Sequence, residues 1–369
     1  MKIFAISLFK LVLKIIYAPL KLLKTKNQIV YLSRQRNQKD IDIELLEKAV
    51  SQKSPETKQV FRLKMIDDGI SSKIKYLFYI VGDMYYLATS RVAILDTYSI
   101  PVSCLKHKKD LTVIQMWHAL GAIKKFGYQA FGTKEGRDEK TSRALCMHKN
   151  YDYVLAPSAA TGVFYKEAFN VDASKIKICP MPRVDYITDS KSPAERFFKL
   201  NPGLGDKKLV LYLPTFRKRD AYVCQQLKNE FDNLQDYQLL ISKHPLSEMS
   251  VEEKYLPNGN FNSFELMKLA DIIITDYSAC AFEAALLMKP LYFFVPDFDE
   301  YMGDRGINVD VRQEMPSEVF YEADKLVDSI KNNNYCFDEL YSFKNKYVEN
   351  FSSSACEIIS TFIMKILGE

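Results

Sequence analysis

Short, nearly uninterrupted apolar runs recur along the chain, and they limit its fold more than any other feature. LVLYL, DIIIT and LYFFV each have the length and composition of one buried strand, and segments of helical periodicity lie between such runs. Strands that are apolar on both faces occur in parallel sheets covered by helices on both sides. The predicted strands are 28–32, 59–63, 92–96, 112–116, 151–156 and 176–179, and then 208–213, 238–242, 271–275 and 291–295.

The alternation of strand and helix stops once, in the turn-rich stretch 192–206, and then starts again. Two successive β/α series predict an α/β protein with two Rossmann-like domains facing a cleft, and a length of 369 residues also fits two domains. The predicted helices are 41–50, 161–169, 264–270, 279–288, 316–331 and 355–367. The predicted divisions are a leading segment at 1–26, an N-terminal domain at 27–195, a C-terminal domain at 196–350 and, at 351–369, a helix that packs back on the N-terminal domain.

Positive charge is concentrated at the start of the chain. The first 39 residues contain nine Lys or Arg and no acid, whereas the whole chain has a net charge of +5, so the rest carries −4. A general nucleic-acid-binding protein carries its basic charge across a folded face, and we therefore expect no nucleic-acid partner. Seven cysteines without close pairs fit reduced thiols, and the four histidines form no ligand pattern with them, which disfavours a disulfide framework and a zinc site.

Residues 2–24 have the pattern of an amphipathic helix. At about 100° per residue their lysines fall within an arc of about 120°, and most of the other side chains are Ile, Leu, Phe or Val. Lys10, Lys14 and Pro19 interrupt the apolar run, which disfavours a membrane-spanning helix and a signal peptide. The pattern predicts a helix in the plane of an anionic membrane surface. The alternative is a basic helix packed on the body of the protein.

A histidine follows the fourth predicted strand. The segment 113–127 reads VIQMWHALGAIKKFG, so Gln115 and Trp117 lie at the strand end, His118 follows, and Lys124 and Lys125 come after a glycine-containing loop. Open α/β sheets bind ligands at the carboxyl ends of their strands. An imidazole at such an end is suited to general base catalysis, and a structural histidine is the alternative.

Two turns of the first domain contain polar residues that have simple structural explanations. Ser158 precedes a helical pattern and is a candidate N-cap. Arg183 lies in the turn PMPRVD, where it either pairs with Asp185 or points its guanidinium into the predicted cleft.

Strand ends of the second domain carry cations. The segment LYLPTFRKR places Thr215 at the end of a buried strand and Arg217 in a run of three cations. Thr and Arg side chains at such a position are good phosphate contacts, and a solvated charge cluster is the alternative. The segment LLISKHP likewise ends a strand in Lys243 and His244, with a structural histidine as the alternative.

The segment ADIIITDYSACAFE is the most distinctive of the series. A buried strand passes through Thr-Asp-Tyr-Ser into a helix, so Asp276, Ser278 and Ala279 lie at the helix start. Free backbone N–H groups at that position form an anion site, and the alternative is a helix capped by Asp276 or Ser278. The tripeptide Asp297-Phe-Asp299 resembles a D-x-D metal motif, but a match of three residues in a chain with 46 acids is expected by chance.

Taken in order, these segments resemble one family. Q-x-W-H with K-K-x-G, then P-T-x-R, K-H-P, T-D-Y-S and K-P-x-x-x-x-x-x-D-x-x-x-Y followed by Arg305 are similar to the CDP-glycerol glycerophosphotransferase family of teichoic acid synthesis, over residues 110–310. The resemblance implies a GT-B-like fold and a peripheral place on the cytoplasmic face of the plasma membrane. It implies transfer of a polyol phosphate, foremost glycerol phosphate, from CDP-glycerol or CDP-ribitol to a hydroxyl of a lipid-linked glycan acceptor. CMP is then released, and no cofactor is required.

Residue roles follow from the matched motifs. His118 and His244 match the two motif histidines of the family as its catalytic residues, and we expect His118 to take the proton of the acceptor hydroxyl. Ala119 and Ala279 depart from the Gly and Ser that are usual there. The residues expected to bind the donor diphosphate are Thr215, Arg217, Lys243, Asp276, Ser278, Ala279 and Arg305, and those expected at the acceptor or in the cleft are Gln115, Trp117, Lys124, Lys125 and Arg183.

The sequence leaves three alternatives to glycerol phosphate transfer open. The first is ribitol phosphate transfer from CDP-ribitol, and the second is a GT-B glycosyltransferase that uses a nucleotide sugar. The third is a membrane-bound protein that binds nucleotide without turnover. A screen of donors distinguishes the first two alternatives from glycerol phosphate transfer. The third alternative predicts that neither histidine is particularly needed, so a requirement for both histidines would exclude it.

Overall fold

The computed structural model describes residues 2–65, 70–216, 220–243 and 247–369. By its internal contacts the chain forms two compact units. Unit 1 comprises Met1–His118, Phe126–Tyr186 and Asn350–Glu369, and unit 2 comprises Ala119–Lys125 and Ile187–Glu349. Each unit is built around one parallel sheet.

The apolar runs form the strands of the two sheets. Val, Ile, Leu and aromatic residues dominate them, as expected of strands that are buried on both faces. The sheet of unit 1 contains β1 (Gln28–Ser33), β2 (Lys58–Leu63), β3 (Val92–Leu95), β4 (Thr112–Gln115), β5 (Tyr153–Ala156) and β6 (Ile176–Ile178). The sheet of unit 2 contains β7 (Lys208–Leu213), β8 (Tyr237–Ile241), β9 (Ile272–Thr275), β10 (Leu291–Phe294) and β11 (Val319–Phe320).

The two sheets share one strand order, except that the sheet of unit 1 has a sixth strand at its edge. The sheet of unit 1 runs β2-β1-β3-β4-β5-β6, and that of unit 2 runs β11-β10-β9-β7-β8. In each sheet the first and third strands are neighbours, and the second strand lies outside the first. A doubly wound sheet of this order binds its ligand beyond the carboxyl ends of the first and third strands. The topology therefore points to the ends of β1 and β3 in unit 1, and of β7 and β9 in unit 2.

Helices connect the strands, and several begin at the residues that the sequence predicts. Asp40 accepts a hydrogen bond from the N–H of Ile43 at 3.1 Å, and Ser158 accepts one from Thr161 at 3.1 Å, so both are N-caps. The helices are α1 (Lys2–Leu20), α2 (Ile41–Lys53), α3 (Ile70–Thr89), α4 (Ile100–Cys104), α5 (Glu139–Ala144), α6 (Ala159–Phe169), α7 (Arg183–Thr188), α8 (Ala194–Leu200), α9 (Asp220–Phe231), α10 (Ser263–Leu269), α11 (Cys280–Ala285), α12 (Phe298–Asp304), α13 (Val311–Glu314), α14 (Ala323–Lys331), α15 (Phe337–Tyr347) and α16 (Ala355–Leu367).

A hydrophobic core lies against one face of each sheet. In unit 1 the strands pack against α2 and the C-terminal helix α16, whose Ile359 and Ile363 are buried in the same cluster as Tyr31. In unit 2 the strands pack against α9 and α14, with Leu227 and Leu326 in the cluster. Each sheet thus has its own core.

The α/β class with two parallel sheets is confirmed. All ten predicted strands are present, with ends that shift by two residues at most. The predicted helix 316–331 is wrong, because its first part is a 3-10 turn at Pro316–Glu318 and the edge strand β11, and only α14 is helical. The predicted helix 279–288 shortens to α11, and α3 was not predicted.

The first helix leaves most of its apolar side chains exposed. Phe4 and Ile15 have exposed fractions of 75% and 63%, whereas Tyr17 is buried against unit 1. By length and composition α1 could also cross a bilayer. The sequence predicted that the lysines of this helix face lipid headgroups. Lys10 instead contacts the protein, because its Nζ donates a hydrogen bond to the carbonyl oxygen of Ala144 at 2.8 Å.

Candidate active site

Three neighbouring strand ends of unit 1 surround one imidazole. His118 follows β4, and Gln35 and Asp96 lie just after β1 and β3, which are the strands that mark the ligand position. His118 Nδ1 lies 2.8 Å from the carbonyl oxygen of Asp96, and Nε2 lies 3.4 Å from the side-chain nitrogen of Gln35. The histidine that the sequence singled out therefore lies where the strand order predicts a ligand.

Hydrogen bonds fix the tautomer of His118. A carbonyl oxygen only accepts, so Nδ1–H donates a hydrogen bond to the Asp96 carbonyl oxygen, and Nε2 is unprotonated, with its lone pair available to the Gln35 side-chain amide. Burial lowers the pKa of His118 to about 4, helped by the charges of Arg183 and Arg36 and opposed by the bond to Asp96. At neutral pH the imidazole is uncharged, and its Nε2 is able to take a proton.

A buried ion pair holds the backbone of His118. Arg183 and Asp42 are 7% and 1% exposed, and the Arg183 Nε donates to Asp42 Oδ2 at 2.9 Å. The guanidinium also donates to the carbonyl oxygen of His118 at 3.0 Å. Because Asp42 lies in the first turn of α2, the pair fixes the loop after β4 against the start of that helix. Arg183 is thus a positioning residue for His118.

The structure gives both charged residues of the PMPRVD turn partners elsewhere in unit 1. Arg183 pairs with Asp42, and Asp185 accepts hydrogen bonds from the N–H groups of Ala355 and Cys356 at 2.7 and 2.8 Å. These bonds satisfy N–H groups in the first turn of α16, which have no partner within the helix. The turn therefore connects the His118 loop with the C-terminal helix.

Gln115 shapes the turn that leads to His118. It is fully buried, its Nε2 donates to the carbonyl oxygen of Thr97 at 3.1 Å, and its Oε1 accepts from the N–H of Trp117 at 2.9 Å. Trp117 has a φ of 65°, a left-handed conformation that bulky residues seldom adopt and that is concentrated at functional sites. The Trp117 ring stacks on Phe126 with centroids 4.8 Å apart. Gln115 is a positioning residue, because both ends of its amide bind the backbone.

Gln35, Asp96 and Arg36 surround His118 and were not singled out from the sequence. They follow strands that the sequence did predict, so the convergence of strand ends in a parallel sheet was the available signal. Arg36 Nε lies 3.1 Å from Asp96 Oδ2. Burial raises the pKa of the Asp96 carboxyl to about 6, although Arg36 opposes the shift.

In unit 2 Thr215 of the P-T-x-R motif meets Asp276 of the T-D-Y-S motif at the ends of β7 and β9. The N–H of Thr215 donates to both carboxylate oxygens of Asp276, at 2.9 and 3.1 Å, and Thr275 Oγ1 donates to the Leu213 carbonyl oxygen at 2.8 Å. Asp276 is completely buried, so its carboxylate holds this loop. The buried Thr215 hydroxyl has no hydrogen-bond partner among the described residues, which is uncommon and suits a group that binds a ligand.

The N-terminus of α11, the helix after T-D-Y-S, receives little hydrogen bonding from side chains. Ser278 Oγ accepts from the N–H of Cys280 at 3.3 Å, and Ala279 at the N-cap makes no side-chain hydrogen bond. Asp276 is engaged with Thr215 instead of capping this helix. Ser278 and Ala279 are half-buried at the start of α11, so their predicted donor contact remains a prediction.

Tyr277 connects the last family motif to this group. Its hydroxyl donates to Asp297 Oδ1 at 3.1 Å, and its ring stacks on Tyr301 with centroids 3.8 Å apart. The first acid of the D-x-D tripeptide therefore has an internal partner. Across residues 2–65, 70–216, 220–243 and 247–369, no group of three or more His, Cys, Asp or Glu side chains is arranged to hold a metal ion.

Lys124 and Lys125 lie beside Arg305 in unit 2, whereas the sequence grouped them with His118. Lys124 forms an antiparallel bridge with Ile307, and Arg305 Nε donates to the Lys125 carbonyl oxygen at 3.4 Å. These contacts bring the K-K-x-G segment to a residue that is expected to bind the donor.

The two remaining strand-end motifs are only partly described. Lys243 is exposed, and its Nζ donates to the carbonyl oxygen of Met249 at 3.1 Å. Arg217 and His244 lie outside the described residues. The roles expected of these two residues therefore remain predictions.

Comparison with known proteins identifies the family. Residues 15–365 match the family of CDP-Glycerol:Poly(glycerophosphate) glycerophosphotransferase. The chain belongs to this family. It is 28% identical over 330 residues to the teichoic acid ribitol-phosphate primase of Bacillus spizizenii, which covers 85% of each chain. It is also 28% identical over 290 residues to the teichoic acid glycerol-phosphate primase of Bacillus subtilis, which covers 74% of each chain.

Solved structures agree with the family at the level of the fold. The wall teichoic acid polymerase TagF superposes with a TM-score of 0.75 at 18% identity, over 99% of this chain and 98% of the chain in that structure. The Staphylococcus aureus MnaA–UDP structure superposes with a TM-score of 0.58 at 12% identity, over 94% of this chain and 97% of the chain in that structure. The GT-B-like class expected from the resemblance is thereby confirmed.

Family membership also confirms the predicted class of activity. The chain is an enzyme of the polyol phosphate transferase class that acts in teichoic acid synthesis. The order of the motifs in the sequence predicted this class, and Thr215 of P-T-x-R contacts Asp276 of T-D-Y-S in unit 2.

Proposed function

We propose that this enzyme transfers glycerol phosphate or ribitol phosphate from the CDP-polyol to a hydroxyl of a lipid-linked acceptor and releases CMP. The two primases named above, one for each polyol, support this substrate class. A TagF variant structure with CDPG, which superposes with a TM-score of 0.75 at 18% identity over 99% of this chain and 98% of that one, supports the same donor chemistry.

His118 is the general base of the proposed reaction. The acceptor oxygen attacks the phosphorus that carries the polyol, and Nε2 of His118 takes the hydroxyl proton. A new P–O bond forms, the bond from that phosphorus to the bridging oxygen breaks, and CMP leaves. The observation that carries this role is the Nδ1–H bond to the Asp96 carbonyl, because it leaves Nε2 unprotonated. A general base contributes about 10²–10⁴ in rate.

The donor is held by groups of unit 2. Phosphoryl transfer depends mainly on positioning and on stabilisation of negative charge. The Thr215 hydroxyl is preorganised for this task, since Asp276 fixes its backbone. The groups proposed to contact the diphosphate are Thr215, Ser278, Ala279, His244 and the cations Arg217, Lys243 and Arg305.

The enzyme acts at an anionic membrane surface, to which α1 attaches it. The exposed apolar side chains of α1, such as Phe4 and Ile15, enter the boundary between headgroups and acyl chains. This attachment brings the enzyme to an acceptor that is itself carried on a lipid.

A donor screen tests the proposal directly. The purified full chain is incubated with a lipid-linked acceptor analogue and CDP-glycerol, CDP-ribitol or UDP-N-acetylglucosamine, and nucleotide release is measured by chromatography. We expect CMP together with an acceptor whose mass rises by one polyol phosphate. Sugar transfer from the UDP-sugar, without CMP release from either CDP-polyol, would overturn the proposal.

A further inference from the structure

A cavity of about 500 Å³ in unit 1 has an unbalanced positive charge. It is formed beside α1 by the segment that follows α4 and by residues near the start of β5. We call it the lysine cavity, and its charged lining residues are Lys14, Lys106, Lys108, Lys149, Lys175 and Asp152. The lining thus contains five lysines and one acid.

Three of these lysines make no polar side-chain contact with the described residues. Among the described residues, Lys14, Lys106 and Lys149 make no side-chain hydrogen bond or ion pair, and all three are exposed. Lys108 and Lys175 differ, because they donate to backbone carbonyl oxygens. Lysines that outnumber acids five to one around a cavity attract an anion, and charge-assisted hydrogen bonds to a phosphate are stronger than bonds between neutral groups.

The other polar groups of the lining leave the positive charge in place. Asp152 Oδ2 accepts a hydrogen bond from the N–H of Val113 at 2.8 Å, so this carboxylate binds the backbone and forms no ion pair with the lysines among the described residues. His107 adds no charge: its Nε2 lies 2.8 Å from the Val102 carbonyl oxygen and its Nδ1 lies 2.9 Å from the Tyr17 hydroxyl. Burial lowers the pKa of this imidazole, which keeps it neutral.

We propose that the lysine cavity binds the phosphate headgroup of an anionic membrane phospholipid. Lys14 lies on α1 next to Ile15 and one turn from Leu11, which are 63% and 52% exposed. A phosphate in the cavity would therefore have apolar surface beside it for acyl chains, as at a membrane interface. The volume lies within the range of small-molecule pockets and admits more than a bare phosphate ion. The proposal rests on the membrane attachment proposed above for α1.

The test measures a saturable site with a soluble lipid. Dihexanoyl phosphatidylglycerol, kept below the concentration at which it forms micelles, is titrated into the full chain by calorimetry. Inorganic phosphate and dihexanoyl phosphatidylcholine are titrated in parallel. The double variant Lys106→Gln/Lys149→Gln removes two of the charges that line the cavity. The matched control Lys48→Gln/Lys166→Gln removes two exposed lysines of α2 and α6 in the same unit.

We expect one phosphatidylglycerol per chain, bound more tightly than either phosphatidylcholine or inorganic phosphate. At about 1 kcal/mol for each lysine near a charged headgroup, the cavity variant should bind about 30-fold more weakly, and the control should match the wild type. Equal affinity of the cavity variant and the wild type would overturn the proposal, as would inorganic phosphate binding as tightly as the lipid.

A second readout separates this site from the rest of the account. Polyol phosphate transfer to a water-soluble acceptor analogue should be the same for the cavity variant and the wild type. Binding to neutral phosphatidylcholine vesicles through the apolar side chains of α1 should also be unchanged, whereas the preference for phosphatidylglycerol vesicles should fall by about 30-fold. Retention of that preference in the cavity variant would refute the lysine cavity as its source, without bearing on transfer activity.

Discussion

Replacement of Asp42 by alanine should destabilise unit 1 more than the loss of an ordinary ion pair. Asp42 is 1% exposed and receives both the backbone N–H and the guanidinium of Arg183. Removing one partner of a buried pair leaves the other charge uncompensated and costs about 3–5 kcal/mol. At about 2–4 °C per kcal/mol for a unit of this size, the melting temperature of unit 1 should fall by about 6–20 °C, measured by circular dichroism.

An exposed pair provides the matched control for this prediction. Glu139 and Arg143 are four residues apart on α5, with side chains 49% and 59% exposed, and such pairs contribute about 0.3–0.5 kcal/mol. Glu139→Ala should therefore leave the melting temperature nearly unchanged. The double variant Asp42→Ala/Arg183→Ala should be less destabilised than the sum of its single variants, because no unpaired charge remains. Equal melting temperatures for Asp42→Ala and Glu139→Ala would refute the reasoning.

Three further results are expected. Phe4→Ser/Leu8→Ser/Ile15→Ser should bind phosphatidylglycerol vesicles at least about 1,000-fold more weakly in flotation assays, since each of the three side chains loses about 1.5–3 kcal/mol of burial in lipid; unchanged binding would show that α1 does not contact the membrane. Thr215→Val should raise the donor KM with little change in melting temperature, because the hydroxyl has no hydrogen-bond partner among the described residues; an unchanged KM would exclude that hydroxyl from the donor site. We expect kcat to fall only as the pH drops towards 4, since burial depresses the pKa of His118 and its Nε2 becomes protonated below that value; a fall in kcat centred near pH 6.5 would contradict the buried environment of His118.

Much of the fold was predictable because buried parallel strands have a strong local signal. The runs around β7, β9 and β10 are apolar on both faces, and the structure confirms them almost residue by residue. The helix predicted over 316–331 was wrong in its first part. Pro316 favours a turn, and Val319 and Phe320 favour a strand, but the spacing of apolar residues over the whole segment resembles that of a helix. The edge strand there depends on pairing with Phe293, which lies outside any local window.

The site was predictable only as far as its strand ends. His118 and Thr215 stand out because each follows a buried strand and belongs to an ordered set of motifs. The contact between Arg183 and Asp42 was not predictable, because the two residues are 141 positions apart and Asp42 looks like an ordinary acid in the first turn of a helix. The contact between Gln35 and His118 was also not predictable, since only the strand order of the sheet brings the loop after β1 to the imidazole.

The unprotonated Nε2 of His118 is the central element of the proposed mechanism, and one pair of measurements on His118→Ala tests it most directly. With the full chain, kcat is measured with CDP-glycerol or CDP-ribitol, whichever the donor screen selects, and binding of that donor is measured separately by calorimetry. The account predicts that kcat falls by about 10²–10⁴ while donor affinity stays close to that of the wild type, because the proposed donor contacts belong to unit 2. A variant that keeps more than about a tenth of the wild-type kcat, a smaller loss than a missing general base causes, would contradict the account.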